Sequence, residues 1–190
     1  MTETSYMQET LQNLKKLVHP TSDINDCNSI LNNFVKELPD LINSERASIF
    51  IHDPFNQRAW LQSGTGLIEK ELDIPLRGSI TGEVIFSKKY LIINDMSTRE
   101  GIHKAVDLMT GFSTKSVLCV PILSQSGSVR GTLQALNKKN GDIFIEKDRI
   151  LLEQIAAMLH GPVRVIFNAQ REKTVRSKGW RERIQNFLPF

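Results

Sequence analysis

Asn137-Lys138-Lys139-Asn140-Gly141-Asp142-Ile143-Phe144-Ile145-Glu146-Lys147-Asp148 joins the end of an apolar run, residues 131–136, to the start of a long amphipathic pattern. Asn137 and Lys138 close the strand, Asn140-Gly141 carries the turn signal, and Asp148 falls four residues after Phe144, inside the first helical turn. A lysine leaving a strand can fold back onto a carboxylate near a helix N-terminus, where the helix dipole already favours negative charge. Phe144 then plugs the corner between them. Asn137, Lys138, Phe144 and Asp148 are therefore read as a brace that fixes the angle between sheet and helix, with only an indirect effect on any ligand.

Downstream, Ile150, Leu151, Ile155, Met158 and Leu159 mark one helical face, and Val163, Ile166 and Phe167 resume it after Gly161-Pro162. Proline removes a donor and clashes with the preceding turn, about 3 kcal/mol in a free helix interior, so a kink is expected there. Upstream, residues 116–123 and 128–136 read as strands joined by a turn at Gly127, which favours an antiparallel hairpin. Further strands are expected at 46–52, 58–62, 70–76 and 90–93, with short helices at 80–87 and 101–109. Near the start, Met7, Leu11, Leu14, Leu17 and Val18 line one face of a helix stopped by His19-Pro20. Ser22 or Asp23 then caps a second helix bearing Cys27, Ile30, Leu31, Phe34, Val35 and Leu38, which Pro39 ends or kinks, leaving at most one more turn at Leu41-Ile42.

At 190 residues, 40% hydrophobic and 24% charged, the chain can bury a full core and reads as an ordinary soluble globular protein. The polar start and strand-length apolar runs lead us to expect a cytoplasmic protein. Two cysteines, Cys27 and Cys119, offer neither a disulfide framework nor a metal spacing. The net charge of +3 is uneven: residues 171–190 hold six basic and two acidic side chains, +4, which leaves −1 for residues 1–170. With Trp180, Ile184, Phe187 and Leu188, this basic tail suits an amphipathic helix for a membrane surface, a nucleic acid or a partner, or one folded back on its own domain or dimer mate. Neither nucleic acid nor membrane is strongly indicated. The division expected is an N-terminal packing or dimer helix at 1–22, a single domain at 23–171 and the basic tail at 172–190.

The Asn-Lys-Phe-Asp spacing of residues 137, 138, 144 and 148 resembles the signature of GAF domains, the small-molecule sensing modules of cyclic nucleotide phosphodiesterases and some adenylate cyclases. Leu76-Arg77-Gly78-Ser79-Ile80-Thr81-Gly82-Glu83-Val84 resembles their glycine-flanked helix start, and residues 106–122 resemble the matching segment of phosphodiesterase-type members. The resemblance implies an α+β fold, with long terminal helices on one face of an antiparallel sheet and short helices over a ligand pocket on the other.

Carried over by motif position, the implied ligand contacts are Ser48, Gln62, Ile80, Thr81, Asp107, Thr110, Thr114 and Gln134. Glutamine stands at 134 and 62, and arginine at 149, where members often carry glutamate, an aromatic and an acid, so ligand preference is expected to differ. No cofactor is required; the implied ligand is cAMP or cGMP, whose phosphate suits backbone N–H groups at a helix N-terminus while hydroxyls and amides read ribose and base. Each polar residue also has a local use: Thr110 and Thr114 as turn caps, Asp107 as a loop holder, Ser48 and Gln134 as solvent-facing positions. The function expected is thus a regulatory sensor acting through a homodimer upon some downstream effector. The alternative is a ligand-free scaffold, dimerising through Leu11, Leu14, Leu17 and the final helix, with Phe86, Met109 and Phe112 filling the cavity. An enzyme is the third class. One GAF branch reduces free methionine sulfoxide with several pocket cysteines, but Cys27 and Cys119 sit on a helix and a core strand. His103 is the histidine placed to face a ligand, with a plain surface role as its alternative.

Overall fold

A computed structural model describes the backbone of residues 3–68 and 71–185 and the side chains of residues 8–68 and 71–175. Helix α1, Glu3–Leu17, lies against α2, Ile24–Ile42. Six strands follow: β1, Ser44–Asp53; β2, Arg58–Gly64; β3, Asp73–Pro75; β4, Leu91–Ile93; β5, Val117–Leu123; and β6, Val129–Lys138. Between β3 and β4 comes α3, Ile80–Ser87; between β4 and β5 comes α4, Ile102–Thr110; and α5, Glu146–Met158, and α6, His160–Gln185, close the chain. All strand pairings are antiparallel, in the order β3-β2-β1-β6-β5-β4.

Strand alternation sends side chains to two faces. Ala47, Ile49, Ile51, Leu118, Val120, Ile122, Leu133 and Ala135 join Leu31, Phe34 and Leu38 of α2 and Leu152, Ile155, Val163 and Ile166 of α5 and α6 in the larger core. Full burial of each such aliphatic or aromatic side chain contributes about 1.5–3 kcal/mol. On the opposite face Phe50, Leu61, Ile74, Leu76 and Ile85 form a second cluster, with Ile102 and Val106 of α4 against it. The expected layers, long helices on one side and short helices on the other, are present.

Local signals explain the element ends. Asp23 caps α2, its carboxylate accepting from the N–H groups of Asn25 and Asp26 at 2.7 and 3.2 Å. Pro39 leaves one further turn, closed by Asn43 in the left-handed conformation. The break between α5 and α6 falls at Leu159, because Pro162 has no N–H for the carbonyl four residues back at Met158; the two helices meet at a 58° bend. Gly82 is dictated by close approach, since a Cβ there would lie 1.8 Å from the Leu76 carbonyl oxygen.

Two expectations need correction. The strand expected at 70–76 is only Asp73–Pro75, although the Leu61 N–H still reaches the Leu72 carbonyl at 2.7 Å. Leu14 is buried in the chain's own core, so the α1 stripe is not free as a whole for a second copy. Helix α6 runs through residue 171 to Gln185, while the side chains of Trp180, Ile184, Phe187 and Leu188 lie outside the described residues. Among the described residues no single helix is long and apolar enough to cross a membrane.

Candidate functional site

The brace forms as its spacing predicts. Lys138 Nζ lies 2.8 Å from Asp148 Oδ1 and 2.7 Å from the Ile42 carbonyl, tying β6 to the ends of both α2 and α5. The second oxygen of Asp148 accepts from the Ile145 N–H at 3.0 Å and so caps α5. Phe144 is buried, its N–H and carbonyl both held by the Asn94 side chain at 2.8 and 3.1 Å. Asn137 fixes the loop before β5: its Oδ1 accepts from the N–H groups of Lys115 and Ser116, and its Nδ2 donates to the Ser113 carbonyl. None of the four lines the cavity beneath α3 and α4.

That cavity has a volume of about 80 Å³. Ser48 of β1, Ile80 and Thr81 at the start of α3, Asp107 and Thr110 of α4, Thr114 and Gln134 of β6 all line it. The floor is apolar, built by Phe50, Leu61 and Ile74, while Arg46, His103 and Phe112 complete the wall. Gln62 is the exception. It faces the long helices, donating to Asn28 Oδ1 at 3.0 Å and accepting from Trp60 Nε1 at 3.2 Å. Leu61, one residue earlier, takes the cavity side, and a one-residue offset on a strand reverses the face.

The polar groups around the cavity differ in how far they are occupied. Gln134 Nε2 donates to Thr81 Oγ1 at 2.8 Å, leaving the threonine proton for another acceptor. Both oxygens of Asp107 are taken by Thr114, through its hydroxyl at 2.6 Å and its N–H at 2.7 Å, so this pair closes the link from α4 to β5. Thr110 donates back to the Val106 carbonyl at 2.9 Å. Ser48 Oγ is buried, 4% exposed, with no hydrogen-bond partner. Leaving a buried hydroxyl unpaired costs about 1–3 kcal/mol, which an acceptor or donor on a guest would recover.

Ser48 and Gln134 are thus buried rather than solvent-facing, and Asp107 does hold its loop. Phe86 and Met109, 60% and 72% exposed, do not fill the cavity; Phe112 is half-buried on its wall, beneath Arg46. His103 is half-buried on the wall rather than a plain surface side chain. Arg46 was legible only through its spacing of two from Ser48. Cys27 and Cys119 are buried free thiols, and among the described residues no group of His, Cys, Asp and Glu could hold a metal. Burial pushes the Cys119 thiol up to about 12, far from the reactive thiolate range. The Thr132 hydroxyl is buried with no hydrogen-bond partner beyond the neighbouring Cys119 sulfur, a weak acceptor toward which it donates.

An antiparallel sheet with long helices behind it and two short helices over a mostly apolar cavity defines an α+β domain class. The chain belongs to the GAF domain family, which it matches over residues 26–160. It is 32% identical over 136 residues, 65% of this chain and 18% of the relative, to the probable 3',5'-cyclic phosphodiesterase pde-5 of Caenorhabditis elegans. The chain spans 6 to 18% of the length of the curated phosphodiesterases it matches. Among solved structures, the GAF domain of an Acinetobacter phosphoenolpyruvate-protein phosphotransferase superimposes with a TM-score of 0.69 at 21% identity, covering 87% of this chain and 98% of that one. The free methionine-R-sulfoxide reductase of Neisseria meningitidis shares the fold with a TM-score of 0.68 at 17% identity, covering 89% and 95%.

Proposed function

We propose that this chain is a regulatory sensor that binds a cyclic nucleotide, cAMP or cGMP, between the sheet and helices α3 and α4, and signals through the terminal helices of a homodimer. The observation that carries this reading is the convergence of Ser48, Ile80, Thr81, Asp107, Thr110, Thr114 and Gln134 on one cavity that contains an unpartnered buried hydroxyl. Kinship with phosphodiesterase GAF domains supports the nucleotide as ligand. The first-turn N–H groups of Ile80 and Thr81 have no partner inside α3 and suit a phosphate.

At about 80 Å³ the cavity is smaller than the ~300–1,000 Å³ of typical small-molecule sites, so a nucleotide must displace the segment that carries α4. That displacement forfeits few core contacts, because α4 has no fully buried residue and meets the second core only through half-buried Ile102 and Val106. The signal then arises only if ligand favours one position of α4 over the other. For the homodimer, Ile143, Ile145 and Ile150 are exposed beside Leu11 and Leu151 and supply an apolar surface in place of Leu14. The role is non-catalytic, in keeping with two buried thiols.

Calorimetric titration of the chain with cAMP and cGMP tests the reading. Saturable binding that Asp107→Ala and Thr114→Ala weaken supports it, and a ligand at about a hundred times its Kd should add about 2.7 kcal/mol of stability. The small cavity favours a second reading, a ligand-free dimerisation scaffold. Absence of binding heat and of thermal stabilisation in a chain that still dimerises would select it.

A further inference from the structure

We infer that Arg46 reads the charge of the ligand, so that the cavity selects monoanions over neutral molecules of the same shape; this rests on the sensor reading above. Arg46 precedes Ser48 by two residues on β1 and shares its face of the sheet. It is half-buried, and its guanidinium carbon lies 4.1 Å from the centroid of the Phe112 ring. Arg58, Arg99, Arg149 and Lys138 all sit on carboxylates. Among the described residues no carboxylate lies within ion-pair distance of Arg46. Asp107, the acid on the same wall, has both oxygens committed to Thr114.

Stacking and ion pairing use different parts of a guanidinium. Phe112 makes a cation–π contact with the guanidinium, and among the described residues no acceptor takes any of its five N–H donors, which stay available for a carboxylate or phosphate fork. Phe112 therefore aims the cation without neutralising it. Phe112 also lies on the segment between α4 and β5, so an anion that fixes Arg46 fixes that segment as well. Charge recognition and the position of α4 become one event. The uncharged body of the ligand rests on Phe50, Leu61 and Ile74.

The test is calorimetric titration of the full chain with cAMP, cGMP, adenosine and guanosine. Each cyclic nucleotide should bind at least about tenfold more tightly than its nucleoside, a preference that narrows as salt rises. Arg46→Gln should remove most of the preference for nucleotide over nucleoside, the remainder being held by the first-turn N–H groups of α3, and leave the nucleoside unchanged, while Arg46→Lys restores most of the preference. Melting curves check that both variants fold; should the glutamine variant unfold, the salt dependence and the lysine variant decide. A preference that Arg46→Gln leaves undiminished, or a wild-type chain that binds nucleotide and nucleoside equally, overturns the role of Arg46 and leaves the sensor intact. A wild-type chain that binds none of the four overturns the sensor reading, and this inference with it.

Discussion

Two residues set the chemistry of the interior most sharply. Asp148 combines an ion pair, at 2.8 Å to Lys138, with a cap on α5, and both side chains of the pair are only 11% exposed. Breaking a buried pair strands its partner, so Asp148→Ala should cost about 3–5 kcal/mol in urea unfolding. Asp40→Ala, which breaks the exposed pair to Lys139 at 3.3 Å, should cost about 1 kcal/mol or less. Cys119 makes a prediction about pH. Its thiol rises from an ordinary value of 9.0 to about 12, chiefly by burial. Above pH 9 the unfolded chain releases a proton that the folded chain keeps. Stability is therefore full below about pH 9 and falls until about pH 12, by up to about 1.4 kcal/mol per unit. Urea unfolding at pH 8, 9 and 10 should show this fall, and Cys119→Ala should flatten it.

At the scale of elements, the α4 segment hangs on few bonds. Asp107→Ala removes both bonds to Thr114, so amide exchange at Thr114 should accelerate while exchange in β1 and β6 stays unchanged. Gln62→Ala strands Asn28 and the Trp60 N–H on the far face; it should lower stability by about 1–3 kcal/mol and leave ligand affinity untouched. The sequence was most readable where local chemistry decides: Ile80–Ser87 is bounded by the Ser79 cap and Lys88, and the spacing of 137, 138, 144 and 148 translates directly into a brace. It was least readable in β2. Ala59, Trp60 and Leu61 are all apolar and buried, so no alternation reveals which residue faces which core. The register shift in β1 between Ile49 and Phe50 compounds the ambiguity and hides that Gln62 faces α2 rather than the cavity. Arg46 is not legible as a site residue in the sequence because a strand arginine ordinarily reads as a surface cation; only the position of Phe112, far along the chain, makes it a wall residue.

For the molecule as a whole, the sheet separates two tasks. One face is packed solid against α2, α5 and α6 and runs to the chain's terminal helices, while the other leaves a cavity under α3, which is anchored by buried Val84 and Ile85, and the lightly held α4. A change at the cavity can reach the terminal helices through β6, whose Lys138 grips both α2 and α5. If two copies meet through Ile145 and Ile150, Ile145→Glu combined with Ile150→Glu should shift sedimentation from dimer to monomer without lowering the melting temperature. The claim on which all of this depends is that the cavity admits a nucleotide. Titrating cAMP or cGMP into isotopically labelled chain and following backbone amide resonances tests it most directly. Saturable shifts at Ser48, Thr81, Asp107 and Thr114, with Asn28 and Gln62 on the far face unmoved, are the predicted result; unmoved amides at those four positions in millimolar nucleotide would contradict it.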